Sequence, residues 1–175
     1  MMRKKPMLAY PASDKPIDYT KPVYIQPKLD GVRCLIQYER RTQPREDVVV
    51  AYSRTGKEWK NIQHILAELK PFFQANPNVI LDGELYNHDL RDDFETIISL
   101  VRRQKPDDID MLESRDLVQF HCYDCIDIGL IDASFENRMN FITHHVPNSY
   151  CIKHVTTDRV YKHEEALDIH HNANL

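Results

Sequence analysis

The sequence has no uninterrupted apolar stretch of the ~20 residues needed to span a bilayer. Its opening, MMRKKPMLAYPASDKP, is basic but lacks the apolar core of a secretory signal. No membrane partner is therefore expected. Cysteine is scarce: Cys34, Cys122, Cys125 and Cys151 in 175 residues do not make a disulfide framework. A reducing, intracellular setting is the expectation, cytoplasm or nucleoid, or the host cytoplasm if the chain is viral. There is no internal repeat and no low-complexity tract. Nor is there a positive excess: 23 Lys and Arg stand against 27 Asp and Glu, a net charge of -4. That argues against a protein held on nucleic acid by bulk charge, but not against one that concentrates basic residues locally.

What is present is the composition of an ordinary globular domain, 42% hydrophobic and 29% charged. Residues 1–22, with four prolines, read as an extended lead-in. From Val23 the pattern is strand-like, and VYIQPKL and VRCLIQYE flank Asp30-Gly31, a strong hairpin signal. A polar loop, RRTQPRED, leads to a third strand, VVVAYS. Helical spacing over 60–73 and 92–103 brackets a strand at 78–86. LVQFHCYDCIDI reads as a strand, Ser134 as the cap of a helix reaching His145, YCIKHVTT as a strand and 162–173 as a last helix. This mixture without βαβ regularity predicts an α+β domain of antiparallel sheets packed with helices.

A two-residue turn at Asp30-Gly31 would pair Lys28 with Arg33 across the hairpin, on one face. Like charges directly opposite cost stability, but a fixed guanidinium would lower the lysine's pKa and make its amine a nucleophile. A surface hairpin with two solvated basic residues explains the hexapeptide's physics equally well.

The segment Lys28-Leu29-Asp30-Gly31-Val32-Arg33 resembles motif I, K-x-D-G-x-R, of the ATP-dependent DNA ligases and the wider covalent nucleotidyltransferase superfamily. Four fixed positions match by chance about once in ~10⁵ placements. Three further segments follow in the family's order. Ser53-Arg54-Thr55-Gly56 resembles S-R-x-G, Leu81-Asp82-Gly83-Glu84-Leu85 resembles the D-G-E motif, and Phe120-His121-Cys122-Tyr123-Asp124 resembles aromatic-x-x-aromatic-Asp. The resemblance implies a partial nucleotidyltransferase (ATP-grasp-like) adenylation domain over residues 23–175, expected to be incomplete at the C-terminus, in which Lys28 attacks the α-phosphate of ATP, passes AMP to the 5′-phosphate of a nick in duplex DNA, and the nick is sealed.

By that resemblance Gln26, Lys28, Leu29, Arg33, Glu84 and Tyr123 bind the nucleotide, Arg33 and Arg54 meet the DNA, and Glu84 helps hold Mg²⁺ (or Mn²⁺). The residues themselves are compatible with these roles. Period-2 alternation puts Leu81 and Leu85 on one face of their strand and Asp82 and Glu84 on the other, although a solvated polar face has the same pattern. An aromatic ring at Tyr123 can stack a purine, although it can equally be core. Arg54 in a turn can make a forked phosphate contact. Gln26 stands where many ligases have Glu; its carbonyl can accept the same bond from adenine without charge.

Other candidate clusters carry less. In a regular strand Cys122 and Cys125 point to opposite faces and cannot share a metal. The histidines crowding the C-terminal third have poor chelating spacing. The family's later E-G-x-x-x-[KR] and K-x-K motifs and its OB-fold domain are not among these residues. Without the lysines of K-x-K, charge on the α-phosphate is under-compensated, so residues 1–175 are expected to be inactive alone unless a second polypeptide supplies the rest. An RNA ligase or mRNA-capping nucleotidyltransferase, and a non-catalytic ATP- or nick-binding remnant, are the alternatives. Arg33 and S-R-T-G favour a DNA ligase, with roles in DNA replication, repair or recombination.

Overall fold

The computed structural model describes residues 7, 10–11, 13–42, 45–130 and 132–173. Much of the expected lead-in, and the centre of the RRTQPRED loop, lie outside them. The fold is α+β. A five-stranded sheet runs in the order β3-β2-β4-β5-β6, from β2 (Val32–Thr42), β3 (Arg45–Tyr52), β4 (Ile80–Tyr86), β5 (Gln119–Ile126) and β6 (Ile152–His154). Neighbours pair antiparallel except β5 and β6, which are parallel. A separate antiparallel ribbon joins β1 (Val23–Ile25) to β7 (Asp158–Val160). The described residues also form five α-helices, α1 (Gln63–Ala75), α2 (Phe94–Val101), α3 (Asp108–Leu117), α4 (Phe135–His145) and α5 (His163–Ala173), and a short 3-10 helix at His88–Leu90. No helix among the described residues is long and apolar enough to cross a membrane.

Alternation along the strands separates a core face from a site face. Cys34, Ile36, Leu81, Leu85, Phe120 and Cys122 point into the core, where they meet Ile65, Leu69 and Phe73 of α1 and Ile97 and Val101 of α2. Arg33, Asp82, Glu84, His121 and Tyr123 belong to the opposite set. Gly83 lies on the core side because nothing larger fits: a Cβ there would stand 2.4 Å from the His121 carbonyl oxygen and 2.5 Å from the Phe120 ring.

The hairpin expected at Asp30-Gly31 does not form. Val32 begins β2, whose two edges are taken by β3 and by β4, with Arg33 opposite Glu84. A strand has only two edges, so Val23–Ile25 pairs with β7 instead, and Pro27, without an N–H, helps end it. Gly31 still has a steric duty, since a Cβ would meet the Leu85 carbonyl oxygen at 2.4 Å.

Three further differences have local causes. The polar run RRT and RED extends β2 and β3 rather than forming a long loop. YCIKHVTT divides into β6 and the approach to β7. Helix α3 was not expected, because DIDMLESRDL has no apolar stripe: Ile109 and Leu112 are exposed, whereas Asp110 and Ser114 are buried. Its signal was a capping box, in which Asp107 accepts from the Asp110 amide and Asp110 accepts from the Asp107 amide.

Candidate active site

The site face is organised by a salt bridge buried at its carboxylate end. Arg33 Nε and Nη2 donate to the two carboxylate oxygens of Asp82 at 3.0 and 2.6 Å, and Nη1 donates to the Met7 carbonyl at 2.7 Å. The guanidinium also lies over the Tyr123 ring, 5.8 Å from its centroid. Asp82 is 4% exposed, so this bidentate partner is what makes its burial tolerable.

A β-bulge interrupts β5 at Tyr123. Asp82 pairs with Asp124 and Gly83 with Cys122, which leaves Tyr123 as the extra residue of β5. The bulge also corrects the expectation for the cysteines. Cys122 and Cys125 do not face opposite sides; both are buried, at 1% and 0% exposure. Burial pushes the Cys122 thiol up and the Cys125 thiol up to about 12, so both are held as protonated core groups. Among the described residues no three His, Cys, Asp or Glu side chains group to hold a metal.

Just past the bulge, Asp124 receives two bonds from Arg138 of α4, at 2.7 and 3.0 Å, and Arg138 Nη1 donates to the Ala133 carbonyl at 2.8 Å. This pair fastens α4 to the strand segment that carries Tyr123.

Glu84 lies between Arg33, opposite it on β2, and His121, opposite it on β5. It makes no hydrogen bond or ion pair with a described residue, and burial pushes its carboxyl up to about 7 against the pull of Arg33. Burial also brings His121 down to about 4, so its ring is neutral at physiological pH; Nε2 meets Gln119 Oε1 at 3.0 Å. Nothing in the sequence pattern singled out His121 beyond its place in the strand.

Lys28 sits at the edge of this face on the irregular segment after β1, with its side chain 87% exposed. Its ion partner is Asp30, not Arg33. The expected lowering by a guanidinium is therefore reversed. The hydrogen bond from Lys28 to Asp30 holds the ammonium above its ordinary value, and the charges of Asp30 and Glu84 act the same way. Leu29 is half-buried beside it. Gln26 is tied inward, its Nε2 donating to the Tyr123 carbonyl at 3.0 Å and to Thr157 Oγ1 at 2.9 Å.

Arg54 is exposed on a tight turn. The Gly56 amide donates to the Ser53 carbonyl at 2.9 Å, and the Lys57 amide donates to Ser53 Oγ at 2.9 Å. Gly56 has φ 86°, a conformation that favours glycine and lets the turn close.

Comparison with known proteins decides the family. The model of the ATP dependent DNA ligase domain matches residues 6–174. The chain belongs to this family. Solved structures agree on the fold: chains titled Pmar-Lig_Pre. and Pmar-Lig_PreS3 each superpose with a TM-score of 0.63 at 22% identity, over 87% of this chain. The chain spans 34% of the length of each. No curated protein matches significantly.

Within a ligase domain of this family the four motif segments now have places. Motif I contributes Lys28 at the rim and Arg33 on the face, D-G-E contributes Asp82 and Glu84 from the neighbouring strand, and Tyr123 comes from β5 on the far side of β4. Arg54 stands apart on its turn. A cleft between α1 and α3, lined by His64, Met111 and Leu112, and another against α4, lined by Ile128 and Phe141, contain none of these residues.

Proposed function

We propose that this domain carries out the adenylation chemistry of an ATP-dependent DNA ligase, with Lys28 as the nucleophile. The observation that carries the reading is the convergence of Arg33, Glu84 and Tyr123 on one sheet face beside Lys28, in a chain of the ligase family. Lys28 Nζ attacks the α-phosphorus of ATP, and pyrophosphate leaves. The amine must first lose its proton, so the Lys28–Asp30 contact has to open or accept that proton. Tyr123 offers a ring for the purine to stack on, and Gln26 lies beside its backbone carbonyl.

The donor set fits a divalent cation in a limited way. Mg²⁺ usually takes one or two carboxylates together with phosphate oxygens, and Glu84 is the carboxylate on this face without an ionic partner among the described residues. Bound there, Mg²⁺ or Mn²⁺ would neutralise phosphate charge. Glu84 would give up its proton to receive it.

The AMP then passes to the 5′-phosphate of a nick in duplex DNA, where Arg54 and Arg33 are the cations offered to the DNA, and the 3′-hydroxyl displaces AMP. Arg33 can take part only by exchanging its Met7 contact, its other edge being held by Asp82.

The test is incubation of the folded chain with α-labelled ATP and Mg²⁺, beside Lys28→Ala, on a denaturing gel. A labelled band lost in Lys28→Ala supports the assignment of the nucleophile. Labelling that survives Lys28→Ala refutes it. GTP labelling in place of ATP would point to a capping enzyme, and sealing of RNA rather than DNA nicks to an RNA ligase.

A further inference from the structure

The ribbon of β1 and β7 brings together two residues that lie 131 positions apart. Ile25 pairs with Asp158, so the next antiparallel step sets Gln26 against Thr157. Their contact fixes which edge of the Gln26 amide faces out. Thr157 Oγ1 lies 3.1 Å from the Val155 carbonyl oxygen, which can only accept, so the hydroxyl proton goes there. Thr157 Oγ1 is then an acceptor toward Gln26, 2.9 Å away. The Tyr123 carbonyl, 3.0 Å from the same Gln26 nitrogen, is also only an acceptor. Both hydrogens of the amide nitrogen are thus engaged, with the Met139 sulfur 3.7 Å away as a third, weaker acceptor. Turning the amide over would set its oxygen against a carbonyl and a committed hydroxyl.

We infer that Thr157 is a specificity-determining residue: it locks the Gln26 amide so that only the carbonyl is presented to a purine, which selects a 6-amino over a 6-oxo base. The inference rests on the adenylation reading above, since it places the purine edge beside Gln26. A carbonyl pairs with the amino group of ATP and opposes the oxygen of ITP. Thr157 acts through Gln26 and is a positioning residue, not one that meets the phosphate.

The test is equilibrium binding of ATP and of ITP to the purified chain by titration calorimetry without divalent cation, so that affinity is read without a covalent step. The unmodified chain is expected to prefer ATP by about tenfold, the scale of one hydrogen bond plus the mismatch that replaces it. Thr157→Val, and the smaller Thr157→Ala read beside it, should narrow the preference to about threefold, the Tyr123 carbonyl still holding one amide hydrogen. Thr157→Ser should restore the preference. The decisive chain is the double variant Gln26→Glu with Thr157→Val. A carboxylate presents an acceptor whichever way it turns, so the preference for ATP should persist there. Should the double variant lose the preference as fully as Thr157→Val, Thr157 acts by packing and the inference is overturned. ATP binding with an unchanged ratio in Thr157→Val also overturns it, and leaves the adenylation reading standing. A folded chain that binds neither nucleotide overturns both.

Discussion

Glu84 offers a quantitative check of the site's electrostatics. Burial holds its carboxyl at about 7 against an ordinary 4.5, so the folded chain keeps a proton that the unfolded chain releases. Because the folded state binds more protons across that interval, Glu84 lowers stability progressively as pH rises from about 4.5 to about 7, with no further loss above it. At ~1.36 kcal/mol per pH unit the interval corresponds to about 3 kcal/mol; the carboxyl keeps some contact with solvent, which brings the expected effect nearer about 2 kcal/mol. His121 works in the opposite sense: lowered to about 4 from 6.5, it adds stability as pH rises through that window. The total profile therefore mixes the two, and the informative quantity is the difference between the chain and Glu84→Gln, in which the His121 contribution cancels. Urea unfolding at pH 5 and at pH 8 should show Glu84→Gln gaining about 2 kcal/mol relative to the unmodified chain between the two. A difference unchanged to within about 0.5 kcal/mol would refute the claim that Glu84 is protonated by its surroundings. Added Mg²⁺ with ATP should lower the pH at which the difference appears, because a cation favours the carboxylate.

Three other perturbations follow from the same geometry. Arg138→Ala leaves Asp124 half-buried without its bidentate partner, and should cost about 2–3 kcal/mol in urea unfolding; a loss under about 0.5 kcal/mol would mean the pair is replaced by solvent. Gly83→Ala places a methyl 2.4 Å from the His121 carbonyl oxygen, against backbone rather than a yielding side chain, so a thermal melt should show a loss of several degrees or failure to fold. Asp30→Asn removes the main cause that holds Lys28 protonated, so the pH–rate profile of self-adenylation should move its rising limb to lower pH without a change in melting temperature, Lys28 being exposed; an unmoved limb would show that Asp30 does not hold the proton.

The fold class and the alternation of β4 were legible in the sequence because they rest on local pattern. Leu81 and Leu85 against Asp82 and Glu84 is alternation with period 2, and it survives in β4 as expected, with both leucines in the core. Ser134 caps α4 where a cap was read, its hydroxyl accepting from the Asn137 amide at 3.2 Å. Motif segments place residues in order along the chain whatever the strands do.

What failed were statements about which strand lies beside which. Asp30-Gly31 has the chemistry of a hairpin turn, but turn propensity is local, and β2 found better partners in β3 and in β4, which is far along the chain. That exchange gave Lys28 an acidic neighbour in place of a basic one and reversed the shift of its amine. The bulge at Tyr123 changed the faces of every residue after it, a one-residue event that no periodicity announces. Asp82 as the partner of Arg33, Arg138 as the partner of Asp124 and Thr157 as the partner of Gln26 lie 49, 14 and 131 residues from those partners. The sequence by itself determined which side chains are available and, where a strand stays regular, which face of it each occupies. Only the tertiary structure decided what stands opposite them, because pairing between distant strands is set by the packing of the whole sheet rather than by any segment's own preference.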